Sequence, residues 1–140
     1  MDNLPYRNGI MALISDKAKN ILLRKHNGKW TLPLQLIKGS QDEIEVFYSI
    51  LSGQAGLGNS DVMHPMLTNY YFEYEDPNLL KQGWPYKGER WRIVSARMMT
   101  ESKPLLNGMQ RFASLKEAAL LLESEKMTEL INRINDRGIL

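Results

Sequence analysis

The chain has 140 residues, of which 43% are hydrophobic and 24% charged, and this suits one ordinary globular domain spanning residues 1–140. The absence of cysteine excludes disulfide bonds and thiolate metal sites. A net charge of +2 is too small to indicate nucleic-acid binding by itself. No apolar run approaches the roughly 20 residues that cross a bilayer, and the chain does not open on a basic segment followed by an apolar one. We therefore expect a cytoplasmic protein that does not bind membranes.

The first third of the chain predicts three strands. Residues 9–15 and 20–25 are apolar runs separated by a polar turn, and together they predict a β-hairpin. An Asn-Gly turn signal follows at residues 27–28. The next strand, residues 29–35, contains Pro33, which breaks it or confines it to a sheet edge.

A helix is expected to begin at Ser40. Glu43 lies three residues later, which is the spacing of a capping box. Four apolar residues then recur at the spacing of one helical face: Ile44, Phe47, Tyr48 and Leu51. Three glycines are expected to end the helix: Gly53, Gly56 and Gly58.

The second half of the chain predicts more strands and two further helices. The strands are expected at residues 66–74, 89–98 and 109–113, with a long polar loop at residues 76–88. The helices cover residues 115–122 and 124–136, and Ser114 with Glu117 forms a second capping box. Strands outnumber helices and do not alternate regularly with them, so the expected class is α+β.

Three sequence segments carry a family resemblance. They are YRNGI at residues 6–10, KWTLP at residues 29–33 and QAGL at residues 54–57, and Arg90-Trp91 matches a later Lys-Trp pair. The chain resembles the Nudix hydrolases, most of all the bacterial RNA 5′-pyrophosphohydrolases and dinucleoside polyphosphate hydrolases. The resemblance covers roughly residues 5–115. It implies an α/β/α sandwich around a mixed β-sheet.

The signature of that family carries glutamates that bind Mg²⁺ or Mn²⁺. When its end is aligned on Gly56 and Leu57, the acidic positions fall on Gln41, Ile50, Gly53 and Gln54, and a later acidic position falls on Leu105. Residues 50, 53 and 54 have the spacing of one α-helical face. Hard cations need oxygen ligands, usually anionic ones. The resemblance therefore implies a degenerate Nudix box with no catalytic residues and no bound metal.

Other acids offer an alternative metal site. Glu43 and Glu45 lie at the start of the expected helix, where they also oppose the helix dipole, and Glu73 and Glu75 lie at a strand end. With these ligands the protein would be an active hydrolase that uses Mg²⁺ or Mn²⁺ to cleave a nucleoside diphosphate-linked substrate.

Six residues are candidates for binding a ligand: Arg7, Arg24, Lys25, Lys29, Trp84 and Arg90. Arginine suits phosphate because its guanidinium donates two parallel hydrogen bonds, and an exposed tryptophan stacks on bases. The basic residues are otherwise ordinary surface charges, and Trp91 is expected in the core.

Three functional hypotheses follow. The first is a non-hydrolytic Nudix-fold protein, with a binding or regulatory role, that binds a nucleotide, an RNA 5′ end or a protein partner. The second is the active hydrolase with a rearranged metal site, and the third is a structural subunit with an empty cleft. The apolar run at residues 120–122 favours a protein contact.

Overall fold

The computed structural model describes residues 3–99 and 108–140. In this part of the chain the strands are β1 (Tyr6–Ser15), β2 (Ile21–His26), β3 (Lys29–Thr31), β4 (Leu34–Leu36), β5 (Met66–Glu75), β6 (Gly88–Arg97) and β7 (Gln110–Ala113). The helices are α1 (Glu43–Ile50), α2 (Pro77–Lys81), α3 (Leu115–Leu122) and α4 (Glu125–Asp136). None of these helices has the length and apolar content needed to span a bilayer.

The strands form one mixed sheet in the order β3-β2-β1-β6-β5, with β4 paired to β1 and β7 paired to β2. At its centre β1 and β6 are parallel, from Tyr6 opposite Gly88 to Ser15 opposite Arg97. The other strand pairs are antiparallel. The expected hairpin of β1 and β2 is confirmed, and Pro33 separates β3 from β4 as expected.

Both faces of the sheet are covered, which explains the continuous apolar run in β1. Because side chains alternate along a strand, Ile10, Ala12 and Ile14 pack toward Val46 and Phe47 of α1. The intervening Met11 and Leu13 pack on the opposite face, in a cluster with four residues of α4: Met127, Leu130, Ile131 and Ile134. The three layers confirm the α/β/α sandwich around a mixed sheet.

The predicted loop at residues 76–88 is wrong in part, because α2 lies inside it. The Asp76 side chain accepts a hydrogen bond from the Asn78 N–H at 3.0 Å and so caps the helix. Pro77 occupies the first helical turn, where its missing N–H has no cost. Leu79 is buried and anchors the short helix to the domain.

The predicted capping box of Ser40 and Glu43 is also wrong. Helix α1 begins at Glu43, and its N-cap residue, Asp42, makes no side-chain hydrogen bond to the helix. Glu43 instead accepts a hydrogen bond from Arg92 of β6 at 2.9 Å. The contact with the sheet therefore replaces the local cap.

The second capping box is confirmed. The Glu117 N–H donates to Ser114 Oγ at 3.1 Å, and the Ser114 N–H donates to Glu117 Oε1 at 3.2 Å. We expect Ser114→Ala to lower the free energy of unfolding by about 1 kcal/mol, measured by urea denaturation. Ser40→Ala is the matched control and should leave stability unchanged. Equal losses in the two variants would contradict the assignment of the caps.

Candidate functional site

The helix on which the family signature was aligned changes its hydrogen-bonding pattern after Ile50. Helix α1 passes into a π-helical turn, Leu51–Ala55, which Gly56 ends in the left-handed conformation with φ of 64°. A π turn closes i→i+5 hydrogen bonds and shifts the following side chains around the helix axis. Ile50 is fully buried in the core and Gly53 is exposed. The expectation that residues 50, 53 and 54 share one face is therefore wrong.

The side-chain amide of Gln54 forms hydrogen bonds to the backbone of strand β4. Its Nε2 donates to the Leu34 carbonyl at 2.6 Å, and its Oε1 accepts from the Leu34 N–H at 3.1 Å. Arg24 Nη1 approaches the same oxygen at 3.5 Å. Gln110 Nε2 donates to the Gln54 carbonyl at 2.8 Å. The residue thus joins the π turn to β4, β2 and β7.

The remaining signature positions offer little to a divalent cation. Gln41 is exposed, and its Oε1 accepts a hydrogen bond from the Lys38 N–H at 2.9 Å. Ile50 and Gly53 have no side-chain ligand atom, and Leu105 lies outside the described residues. Mg²⁺ and Mn²⁺ favour anionic oxygens, so the donor set at the four described positions does not fit either ion.

Two of the four alternative acids are paired with arginines, and the other two are exposed. Glu43 pairs with Arg92 at 2.9 Å and Glu73 pairs with Arg90 at 2.7 Å. Glu75 is exposed at the end of β5, and Glu45 is exposed on α1. Within residues 3–99 and 108–140, no three or more histidine, aspartate or glutamate side chains lie close enough together to hold a metal ion.

A cavity of about 870 Å³ opens beside the β3–β4 edge of the sheet. Its size lies within the range of small-molecule sites. Four aromatic side chains contribute to its walls: Trp30, Phe72, Tyr74 and Trp91. Six aliphatic side chains complete its apolar lining: Met11, Leu32, Leu34, Leu36, Leu122 and Met127. Gln35, Lys38 and Gln41 also line the cavity, and Gln41 is the first of the aligned acidic positions.

A buried carboxylate, Glu89, also lines this cavity. It is 8% exposed. Arg7 donates to Glu89 Oε2 from Nε at 3.0 Å and from Nη2 at 2.5 Å, and the Tyr74 hydroxyl donates to Oε1. Burial, and next the hydrogen bond to Glu89, raise the pKa of Tyr74 to about 12. The phenol therefore stays protonated and acts as a donor at neutral pH.

None of the six predicted ligand-binding residues is among the lining residues of the cavity. Arg7 lies behind Glu89, and the Trp84 ring, 49% exposed, covers its guanidinium at 5.6 Å. Lys25 lies over the ring of Trp30 at 5.8 Å. Arg7 and Trp84 are thus brought together, and Lys25 contacts an aromatic wall from outside.

The other three candidates lie apart. Arg90 pairs with Glu73 and stacks near Tyr6 and Tyr71. Lys29 is exposed at the start of β3. Arg24 points toward the π turn, where it approaches Gln54.

Glu89 and Tyr74 were not predicted as site residues, although β6 carried a signal for Glu89. Strand alternation places Glu89 on the same face as Trp91, and Trp91 is buried as expected. Tyr74 lies directly opposite Glu89 on β5. On the other side Gly9 lies opposite Trp91, and a Cβ at Gly9 would come within 2.3 Å of the indole ring.

Comparison with known proteins identifies the fold. No protein-family model matches the sequence, and no curated protein matches it. The structure of the C. elegans Ap4A hydrolase is similar, with a TM-score of 0.75 at 14% identity over 94% of this chain and 97% of that one. The E. coli dihydroneopterin triphosphate pyrophosphohydrolase has a TM-score of 0.73 at 10% identity, over 92% and 96% of the two chains.

A NUDIX hydrolase from Nitrosomonas europaea is similar over 96% of this chain and 90% of its own, with a TM-score of 0.66 at 12% identity. Sequence identities of this size carry information about fold and not about chemistry. The chain therefore has the fold of the Nudix hydrolases.

Proposed function

We propose that this protein binds a nucleotide in the cavity beside β3 and β4 without hydrolysing it. The observation that carries the proposal is the hydrogen bonding of Gln54, the last of the acidic positions aligned on the helix. Its amide is committed to both backbone groups of Leu34, and a cation rather than an anion lies beside it. Such a site supports binding of an anionic ligand better than activation of water by a metal ion.

The aromatic walls of the cavity offer surfaces on which the base of the nucleotide stacks. Trp30 and Trp91 both line the cavity, and Phe72 lies opposite Trp91 on the neighbouring strand. A base that stacks on such a side chain gains about 1–3 kcal/mol, as judged by alanine substitution. The aliphatic lining around these rings excludes water from the stacked faces.

Arg24 is the residue that we expect to bind the phosphate groups of the nucleotide. Every other half-buried arginine, namely Arg7, Arg90, Arg92 and Arg111, pairs with a glutamate. Among the described residues Arg24 has no carboxylate partner, and its Nε is buried without a hydrogen bond. Thr31, its cross-strand neighbour, lines the cavity. A cation that has no carboxylate partner and lies beside Gln54 favours a phosphate group as its partner.

Binding and turnover can be separated in one experiment. Nucleoside triphosphates, a dinucleoside tetraphosphate and triphosphorylated RNA are titrated by calorimetry, and the same mixtures are then assayed for cleavage with Mg²⁺ or Mn²⁺. We expect binding without turnover. Arg24→Gln should weaken triphosphate binding by about 10- to 100-fold, because hydrogen bonds to charged groups are worth about 1.5–3 kcal/mol. Arg137→Gln, an exposed arginine beyond α4, is the matched control.

The active-hydrolase hypothesis makes the opposite prediction. Turnover above background that disappears in Glu43→Gln or Glu73→Gln would replace the proposal with a rearranged metal site. Tighter binding of RNA than of the free nucleotide would identify an RNA 5′ end as the ligand. If no member of the panel binds, a protein partner or a structural role becomes the better hypothesis.

A further inference from the structure

Another cavity, of about 360 Å³, lies at the C-terminal end of β6. Its apolar lining consists mainly of methionine. Met63 and Met99 are about half exposed, whereas Met98 and Leu140 are buried. The unbranched methionine side chain adapts to different partners, and exposed methionines are common on surfaces that bind other proteins. We call this surface, with the charged residues that line it, the methionine cleft.

The charged residues of the methionine cleft are mainly basic. Lys17, Lys19 and Arg97 line it. Both lysines are exposed, and neither makes a salt bridge to a residue that the structure describes. Arg97 donates hydrogen bonds to the backbone carbonyls of residues 138–140. Asp16 also lines the cleft, and it accepts hydrogen bonds from backbone N–H groups of its own turn. The cleft therefore suits an apolar side chain that is flanked by carboxylates.

The same chain carries such a group where α3 meets α4. Leu120 is 77% exposed, more than any other large hydrophobic side chain in the described part of the chain. Three exposed glutamates line one depression together with its neighbour Ala119: Glu123, Glu125 and Glu129. None of the three makes a salt bridge within the described residues. Lys126 donates to the Glu73 carbonyl, and Lys116 lies one turn before Leu120. We call Leu120 and the three glutamates the acidic corner.

The methionine cleft and the acidic corner lie at opposite ends of the sheet. Glu89 lines the cavity beside β3 and β4, and Arg97 of the same strand lines the methionine cleft. The distance between these two positions along a strand is about 26 Å. Ser124 lines both the cavity beside β3 and β4 and the depression of the acidic corner, so the corner lies at the Glu89 end. One copy of the chain therefore cannot fill its own cleft with its own corner.

We propose that the methionine cleft binds the acidic corner of a second copy of this chain. Leu120 enters the cleft between Met63 and Met99, and the glutamates face Lys17 and Lys19. Two copies can fill each other's clefts as a two-fold pair, or copies can add end to end. The contact is small, so the association is weak and reversible. The inference goes beyond the proposed function and does not depend on it.

Sedimentation velocity of the unmodified protein, without nucleotide, tests whether it associates. We expect the average sedimentation coefficient to rise as the protein concentration approaches about 1 mM. Raising the salt concentration from about 50 mM to about 0.5 M should weaken the association at least about 5-fold, because salt screens the exposed charges of the two surfaces.

Two variants break opposite halves of the contact. Met63→Glu places a carboxylate in the cleft, where it repels the acidic corner, and Leu120→Gln removes the apolar side chain of the corner. Each variant alone should associate at least about 10-fold more weakly than the unmodified protein. Met109→Glu and Leu67→Gln are the matched controls, because both residues are exposed and lie outside the two surfaces. The controls should associate like the unmodified protein.

Mixing the two variants shows whether the cleft and the corner are partners. Met63→Glu retains an intact corner and Leu120→Gln retains an intact cleft, so each mixed pair has one intact contact. We expect the equimolar mixture to form a pair and nothing larger, under conditions where each variant alone is monomeric. Circular dichroism checks that the variants are folded, and Lys17→Gln replaces Met63→Glu if the latter is not.

Three results would each refute the proposed contact. They are an unmodified protein that stays monomeric throughout, a folded variant that associates as well as the unmodified protein, and a mixture of the variants that stays monomeric. None of them bears on nucleotide binding, because the samples contain no nucleotide.

Discussion

Introducing a glutamate with Ile50→Glu is expected to lower the free energy of unfolding by about 3–5 kcal/mol, without creating a metal ligand. Ile50 is fully buried in the core cluster that contains Phe47 and Leu51. A carboxylate at this position would be buried among apolar side chains, and an uncompensated buried charge costs several kcal/mol. The change removes a large part of the typical stability of a domain.

Urea denaturation monitored by circular dichroism measures this effect. Lowering the pH should recover part of the loss, since burial raises the pKa of the introduced carboxyl group and its neutral form is less costly to bury. Gly53→Glu is the control, because residue 53 is exposed and a Cβ there meets no atom within 4 Å. A stable Ile50→Glu variant that binds Mn²⁺ would show that position 50 turns toward solvent.

The second large effect is expected at Gly88, the first residue of β6. A Cβ at this position would lie 2.0 Å from the Tyr74 carbonyl oxygen and 2.7 Å from the Cα of Glu75. Both atoms belong to the backbone of β5, so a change of rotamer cannot relieve the clash. We expect Gly88→Ala to destabilise the protein by about 3 kcal/mol, the upper end of the usual cost of overpacking.

The Gly88→Ala change should also alter the wall of the cavity. Separation of β5 from β6 at Gly88 moves Tyr74 away from Glu89, its direct cross-strand partner. We expect Gly88→Ala to weaken nucleoside binding even where the variant is folded. Gly53→Ala provides the comparison, and it should be neutral or slightly stabilising because alanine favours helical backbone over glycine by up to about 1 kcal/mol. Unchanged stability of Gly88→Ala would mean that the two strands are less tightly apposed.

Local patterns in the sequence were enough to predict most of the fold. The strand expected at residues 89–98, the break at Pro33 and the Ser114 cap all depend on patterns of a few residues, and each is confirmed. The predictions of the fold fail where a contact with a residue distant in sequence determines the local structure. Ser40 does not cap α1, because the helix begins only at Glu43, whose side chain pairs with Arg92 of β6, 49 residues away.

The candidate site was harder to predict for the same reason. The π turn at Leu51–Ala55 keeps the residue types of an α-helix, and no simple pattern separates the two. Arg7 was predicted as a free phosphate contact, but Glu89 engages it across two strands. Only the register of the parallel pair brings these residues together, and periodicity within one segment does not carry that information.

The central pair of strands also bears on how the chain reaches its native state. Residues of β1 meet partners in β6 that lie 82 positions later, and ten residues of each strand are joined in this way. The hairpin of β1 and β2 can form early from neighbouring segments, whereas the parallel pair must wait for the closure of a long loop. Domains dominated by such distant contacts cross their folding barrier slowly. Until β6 arrives, β1 has an open edge, and the nascent domain is most exposed to misassembly during that interval.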